Sequence, residues 1–307
     1  MHKTGSTTIS NIIYRHAMAH DLNVALPKRG TMLGYPQRFH RAFTDQRLYL
    51  VLFDILCSHM VWDLHQVERT IGKKPFTFTI LRDPVERFIS FWDHYQLGSH
   101  QNLHEFIRNP KGSPHPEWLT MVQEMGYGNS ESKWNAEDVI RYTDANFKLI
   151  LIQEHWNESM FLLWHSLHWN IKDFGHLPQL KRDEEHKSII DHDERKRLEE
   201  WLKLDHEIYK HYLTVFQEKL NHWNPSDLQE GLDKMALVQT NVTIACEVKE
   251  TLNANLSGIL RKTFDSHFLG FNVKNTTDCL SLAMPEETLV RKIRKVQLKK
   301  FHVLNAK

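Results

Sequence analysis

The residues best equipped for chemistry open the chain: His2-Lys3-Thr4-Gly5-Ser6-Thr7-Thr8. Gly5 lets a backbone come close to an anion, the hydroxyls of Thr4, Ser6, Thr7 and Thr8 are donors, and Lys3 supplies a point charge. Ile9, Ile12, Ile13 and Ala17 then recur at helical spacing. A helix is therefore expected over Ile9–His20, its free N–H groups and positive dipole end turned to the same anion. The Gly-Lys-Ser/Thr order of a Walker A loop is absent. An ordinary capped helix start is the competing reading of these residues taken alone.

A second stretch has matching chemistry. Phe76-Thr77-Phe78-Thr79-Ile80-Leu81 alternates like a strand and ends on Arg82, and Asp83-Pro84-Val85-Glu86 then opens a helix. Asp83 suits the N-cap, Pro84 the first helical position and Glu86 the partner in a capping box. Arg82 would thus sit at the carboxyl end of a strand, where open α/β sheets place their ligands, with Ser90 two turns further on. A third stretch, the apolar run Tyr49–Leu56, reads as a buried parallel strand delivering Cys57-Ser58-His59 to the same edge. His59 is then the candidate general base, since an unperturbed imidazole titrates near 6.5. A structural histidine after a buried strand is the plainer alternative.

Together these stretches resemble a known family. Residues 2–8 are similar to the 5′-phosphosulfate loop of the Golgi carbohydrate sulfotransferases, and Leu81-Arg82-Asp83-Pro84-Val85 with Ser90 to their 3′-phosphate motif. The galactose-3-O-sulfotransferases, which include galactosylceramide sulfotransferase, are the nearest in pattern. The likeness extends to Leu22–Pro27 with Gly34-Tyr35-Pro36, to Cys57–Met60, and to Leu151–Glu154 with Glu158-Ser159. It covers roughly residues 2–220. It implies a P-loop-like α/β sulfotransferase fold with a central parallel sheet flanked by helices. The donor would be 3′-phosphoadenosine 5′-phosphosulfate (PAPS), without a metal. Lys3, Thr4, Gly5, Ser6, Thr7 and Thr8 would hold its 5′ end, and Arg82 and Ser90 its 3′-phosphate. Lys3 and His59 would be catalytic, the latter supported by a histidine at the matching place in uronyl 2-O-sulfotransferases. The acceptor would be a galactosyl glycolipid or glycan. A uronyl 2-O-sulfotransferase and a catalytically silent glycan-binding protein are the alternatives, and a nucleotide kinase fits less well because the P-loop order is wrong.

Composition bounds these readings. With 307 residues, 41% hydrophobic and 25% charged, the chain has the make-up of an ordinary globular protein with one sizeable core. Lys+Arg 39 against Asp+Glu 38 gives a formal +1, so no global basic field points to nucleic acid. The 21 His residues read as scattered, without paired metal-ligand spacing. Of the three Cys, Cys246 and Cys279 can form a disulfide and leave Cys57 free; no C-x-x-C pair suggests zinc. Sequons stand at Asn157, Asn241, Asn255 and Asn275, three of them near those cysteines, which favours a lumenal protein. Asn157 has a second reading as a helix cap.

The family implies a type II Golgi membrane protein, yet no apolar run approaches the roughly 20 residues that span a bilayer. The strand that should lead into the first loop is missing as well, so a truncated first strand is expected.

The remaining elements are expected as follows. Lys28–Pro36 is loop, its basic residues with Arg38 and Arg41 facing either an acceptor or solvent. A short helix begins at Asn102–Arg108, and Gly112–Asn135 is a long loop, a candidate acceptor flap whose Trp118 and Trp134 either stack on a sugar or pack in the core. Phe147–Gln153 is a buried strand, Glu158–Leu167 a helix, and Asp191–Asn221 one long amphipathic helix. After Pro225 the pattern weakens until a basic helix at Glu286–Lys300, expected to pack on the domain. The sulfotransferase domain is accordingly placed at 1–225, with a carboxyl-terminal extension at 226–307.

Overall fold

Four residues rich in β-formers on each side, Phe78–Leu81 and Leu149–Ile152, pair as parallel strands in the register Phe78↔Leu149 to Leu81↔Ile152. The structure is a computed structural model that describes residues 1–95, 102–109, 120–127, 135–182, 185, 187–251 and 269–301. In chain order its helices are α1 (Ser6–Ala19), α2 (Leu64–Ile71), α3 (Pro84–His94), α4 (Leu103–Arg108), α5 (Met121–Glu124) and α6 (Ala136–Asn146). They continue with α7 (Trp156–Leu167), α8 (His192–Trp201), α9 (Lys203–Asn221), α10 (Pro225–Ala245), α11 (Thr277–Ala283) and α12 (Glu286–Lys300). The strands are β1 (Phe78–Leu81), β2 (Leu149–Ile152), β3 (Lys249–Thr251) and β4 (Gly270–Asn272). The molecule is thus mixed α/β with a small parallel sheet, and it divides into two packed units.

The first unit comprises Met1–Thr4, Phe76–Ser159 and Glu184–Gln229. Leu81, Leu151 and Ile152 are fully buried on the β1–β2 sheet. Beside it Val85, Phe88, Phe91 and Trp92 of α3 pack with Leu103 and Phe106 of α4 and Leu198 of α8. Asp83 caps α3 as expected, accepting from Glu86 N at 2.9 Å, with Pro84 in the first turn. The expected capping box does not close. Glu86 turns instead to Arg195 Nη1 at 2.8 Å, and Asp83 N donates to Glu154 Oε1 at 2.8 Å. The long helix expected over Asp191–Asn221 is two helices, because Leu202 (φ −92°, ψ 22°) leaves the helical path and buries its side chain in the α3–α4 cluster. Within the expected loop Gly112–Asn135, α5 forms with Met121, Val122 and Met125 buried. Asp205 of α9 accepts its first N–H groups, from Met121 at 2.8 Å and Val122 at 3.2 Å. Trp118 and Trp134 lie outside the described residues.

The second unit comprises Gly5–Pro75, Met160–Asp183 and Glu230–Lys307. Here α1 buries Ile12, Tyr14 and Ala17, and α12, in the place expected for the basic helix, packs Leu289, Val290 and Ile293 against Tyr14 and Ala17. Asn11 donates to the carbonyls of Ser281 (3.1 Å) and Met284 (3.4 Å). Gln297 pairs with both backbone groups of Val24, accepting from N at 2.7 Å and donating to O at 3.0 Å. The expected strand at Tyr49–Leu56 does not form. Tyr49, Leu50 and Leu52 are exposed, and only an isolated bridge joins Ile55 to Val24. Arg41 explains part of this. Its guanidinium takes the carbonyls of Tyr49 (3.0 Å) and Val51 (3.3 Å), which a ladder would otherwise use, so Arg41 has a structural role. After Pro225 the chain is again more regular than expected, since α10 runs for 21 residues.

Cys246 and Cys279 form the disulfide, and Cys57 is free. The bridge joins the end of α10 to α11 amid Leu177, Phe271 and Leu282. Asn157, Asn241 and Asn275 are exposed; Asn157 lies inside α7, so it is not that helix's cap, and Asn255 is outside the described residues. No helix among the described residues is long and apolar enough to cross a membrane. Replacing Cys246 and Cys279 together by Ser should cost about 2–4 kcal/mol of stability, the usual scale for a loop of this size. Comparison of urea midpoints for wild type and the double variant, both without reductant, measures it; an unchanged midpoint would make the bridge ornamental.

Candidate functional site

The site begins with a strained turn. Lys3 has φ 61° and Gly5 φ 83°, both left-handed. Gly adopts that conformation freely, whereas a residue with a Cβ pays about 1–2 kcal/mol. In the first unit Arg82, at the end of β1, holds Lys3 in place by donating Nη1 to its carbonyl at 3.1 Å. The structure thus brings together the two residues that the sequence singled out. They meet through the Lys3 backbone, not at a distance. Arg82 is largely buried, and its Nε has no hydrogen-bond partner among the described residues. Burial draws its pKa down, against the pull of Glu86, Glu154 and Asp83. Ser90 is half-buried on α3.

A buried cluster anchors this turn. Glu124 Oε2 accepts from His2 N at 2.7 Å, and its Oε1 contacts His2 Nδ1 at 2.8 Å. The same Oε1 accepts from Arg87 Nη2 at 2.8 Å, while Arg87 Nε donates to His2 O at 3.2 Å. Arg87 is only 1% exposed and His2 4%. Burial alone would raise the Glu124 carboxyl; the charges of His2 and Arg87 overcome it and hold the group well below its ordinary 4.5. The sequence reading passed over Arg87 and Glu124. Arg87 occupies a helix position where a charge normally faces water, and Glu124 falls inside what read as loop. One signal was available. Arg87 shares the inner face of α3 with Val85, Phe88 and Phe91, at positions that read as apolar.

The second unit holds the remaining loop residues and the candidate base. Gly5 provides no side-chain cap for α1, and the helix's first turn holds no acidic residue. Thr8 turns inward, its hydroxyl accepting from Gln179 N at 2.9 Å. Thr4, in the first unit, donates to Met1 O at 3.2 Å. Two contacts fasten α1 to the segment carrying His59: Ser10 Oγ to Cys57 O at 3.4 Å, and Tyr14 Oη to Ser58 Oγ at 3.2 Å. His59 itself is half-buried, on an isolated parallel bridge to Met32 in place of a strand, with its carbonyl accepting from Leu33 N at 2.8 Å. Burial pushes the Tyr14 phenol and the Cys57 thiol up, so both stay protonated at neutral pH. Burial likewise raises the Glu286 carboxyl, at the start of α12, to about 7.

A left-handed turn at Lys3, held by an arginine from a strand end, is the geometry the first unit offers. Comparison with known proteins supplies the chemistry. The galactose-3-O-sulfotransferase family model matches residues 1–297. Galactose-3-O-sulfotransferase 2 of Mus musculus is 26% identical over 325 residues, covering 93% of this chain and 80% of its own length. The Homo sapiens galactose-3-O-sulfotransferase 2 is 27% identical, covering 93% of this chain and 79% of its own length. The Homo sapiens galactosylceramide sulfotransferase is 26% identical over 236 residues, 71% of this chain and 56% of that protein. The class is therefore that of the carbohydrate sulfotransferase enzymes. Within it, the chain belongs to the galactose-3-O-sulfotransferase family.

Replacing Glu124 by Gln would leave Arg87 buried without its counter-charge, at a cost of about 3–5 kcal/mol. The pH dependence has a definite sign. Because the folded-state pKa is depressed, the stabilisation is fully present above the unfolded carboxylate value of about 4.3 and is lost as pH falls below it. Urea denaturation at pH 7, 5 and 3.5 should show the gap between wild type and Glu124→Gln narrowing only at the lowest pH. A gap constant over that range would refute the assignment.

Proposed function

We propose that this protein moves a sulfuryl group from PAPS to the 3-hydroxyl of galactose on a glycolipid or glycan. The observation that carries the reading is the contact of Arg82 Nη1 with the Lys3 carbonyl, which ties the strand-end motif to the loop motif. Family membership supplies the reaction class, and the names of the relatives supply the galactose acceptor.

In this reading Lys3, Thr4, Gly5, Ser6, Thr7 and Thr8 form the cradle for the 5′-phosphosulfate, using backbone N–H groups, hydroxyls and the α1 dipole. Arg82 and Ser90 take the 3′-phosphate. One of the five donors on the Arg82 guanidinium is spent on Lys3. The residue that grips one end of the nucleotide would thereby hold the loop that grips the other. The acceptor oxygen attacks sulfur in line, forming a new S–O bond as the S–O bond to the donor's bridging oxygen breaks. Lys3 neutralises charge building on that bridging oxygen, and His59 accepts the hydroxyl proton. The protein's part is chiefly positioning and charge stabilisation, as in phosphoryl transfer. A sulfuryl group carries less charge than a phosphoryl group, so no metal is assigned to the transfer.

The catalytic domain is placed at 1–225, with 226–307 as an extension; α11 and α12 of that extension share a unit with α1. The Cys246–Cys279 disulfide supports a lumenal setting, and the Golgi lumen is the compartment we assign.

Turnover of labelled PAPS with galactosyl and uronyl acceptors, combined with calorimetry of desulfated donor, tests these roles. Lys3→Ala should cut turnover by about a hundredfold or more, the scale for losing one transition-state donor. Arg82→Ala should chiefly weaken donor binding, by roughly 1.5–3 kcal/mol. His59→Ala should abolish turnover and spare donor binding. Sulfation of uronyl acceptors alone, or undiminished donor affinity in Arg82→Ala, would overturn the reading.

A further inference from the structure

Away from the loop, at the other end of α1, three potential metal ligands converge. His16 and His20 are one helical turn apart, an i, i+4 pair on a single face, and Asp173 comes from a short 3-10 turn over Ile171–Phe174. One ligating atom from each lies within 4.8 Å of the others. The helix thus pairs two of the histidines that read as scattered along the sequence. All three residues belong to the second unit.

We propose that His16, His20 and Asp173 form a binding site for a divalent transition metal of the zinc class. Two imidazoles and one carboxylate are a donor set that such ions favour, and three protein ligands leave a fourth position for water or a small ligand. His16 and Asp173 line a cavity of about 830 Å³, so that position opens onto a space able to hold either. The site is partly assembled. His16 Nδ1 already meets Asp173 Oδ2 at 2.8 Å, and the His16 ring stacks on Trp169 at 3.5 Å with 6° between planes. The His20 ring lies 4.2 Å from that of His16, centroid to centroid. With metal–ligand bonds of about 2.1 Å the ligating atoms stand about 3.4 Å apart, the edge of a tetrahedron, so the His16–Asp173 pair opens slightly and His20 closes in. The exposed His20 side chain is free to rotate into that position.

The local charges favour a cation on balance. His20 is the C-cap of α1, where the helix dipole is negative. Arg15, Lys172 and Lys292 line the cavity along with Asp21, Asp173 and Asp278, and the Arg15 guanidinium is engaged with the backbone carbonyls of Asp173 and Gly175, not with the Asp173 carboxylate. Bound metal would clamp the end of α1 to the 169–175 segment.

The test uses the whole chain with its disulfide intact. Co²⁺ is titrated as a visible probe, and Zn²⁺ is used to displace it. Wild type should take one equivalent with tetrahedral d–d absorption, and Zn²⁺ should raise its melting temperature. His20→Ala alters an exposed side chain, and Asp173→Asn keeps the shape of the residue it replaces. Each should lower Zn²⁺ affinity by roughly tenfold or more and abolish the absorption bands. Metal-free melting curves of the variants show whether they are folded. Affinity and spectra in His20→Ala equal to those of wild type would overturn the proposal, as would wild type failing to bind Co²⁺ or Zn²⁺ at micromolar concentrations.

Discussion

The carboxylate of Glu124, buried between Arg87 and His2, is the contact on which the first unit's arrangement depends. It is a charged group in a region from which water is excluded, and such a group is tolerable only with its partners in place. Arg87 comes from α3, Glu124 from α5 and His2 from the residues just before the loop. Three stretches remote in sequence are therefore fixed to one another by a requirement of charge, which apolar packing would satisfy in many ways. The Arg82–Lys3 contact stands on this base, one residue beyond His2 and at the strand end that leads into α3. A left-handed Lys3 is sustained because both sides of it are held.

The second unit solves a different problem with different means. There α1, whose amino-terminal end carries no side-chain cap, is secured along its length by side chains reaching to backbone. Asn11 reaches the carbonyls of Ser281 and Met284, Ser10 reaches Cys57, and Gln297 takes the place of a strand neighbour for Val24. Such bonds fix helix position without adding charge near the open end. They also explain how His59 is placed without a strand beneath it, since the chain before it is held to α1 at Cys57 and Ser58.

What could be read from the sequence follows from this contrast. The β1–Arg82–Asp83–Pro84 motif and α1 were legible because local signals coincide there: alternation, an N-cap, a proline at the first turn, and a 3.6-residue period. Basic helix α12 was legible for the same reason. Tyr49–Leu56 misled because an apolar run says nothing about whether a partner strand exists, and the carbonyls of Tyr49 and Val51 are taken by Arg41. The break at Leu202 was hidden because its side chain fits the helical stripe while its backbone does not. Arg87 and Glu124 were hidden for a deeper reason. A charged residue reads as exposed until its partner is known, and this partner lies 37 positions away.

The pairing of α1 with the carboxyl-terminal helices bears on how the chain is made. Asn11 and its acceptor Ser281 are 270 positions apart, and Val24 and Gln297 are 273 apart. On a ribosome, α1 emerges some 270 residues before the helices that cover its apolar face. While that intervening stretch is made, Ile12, Tyr14 and Ala17 have no native cover from α11 or α12, an interval in which chaperones have something to bind.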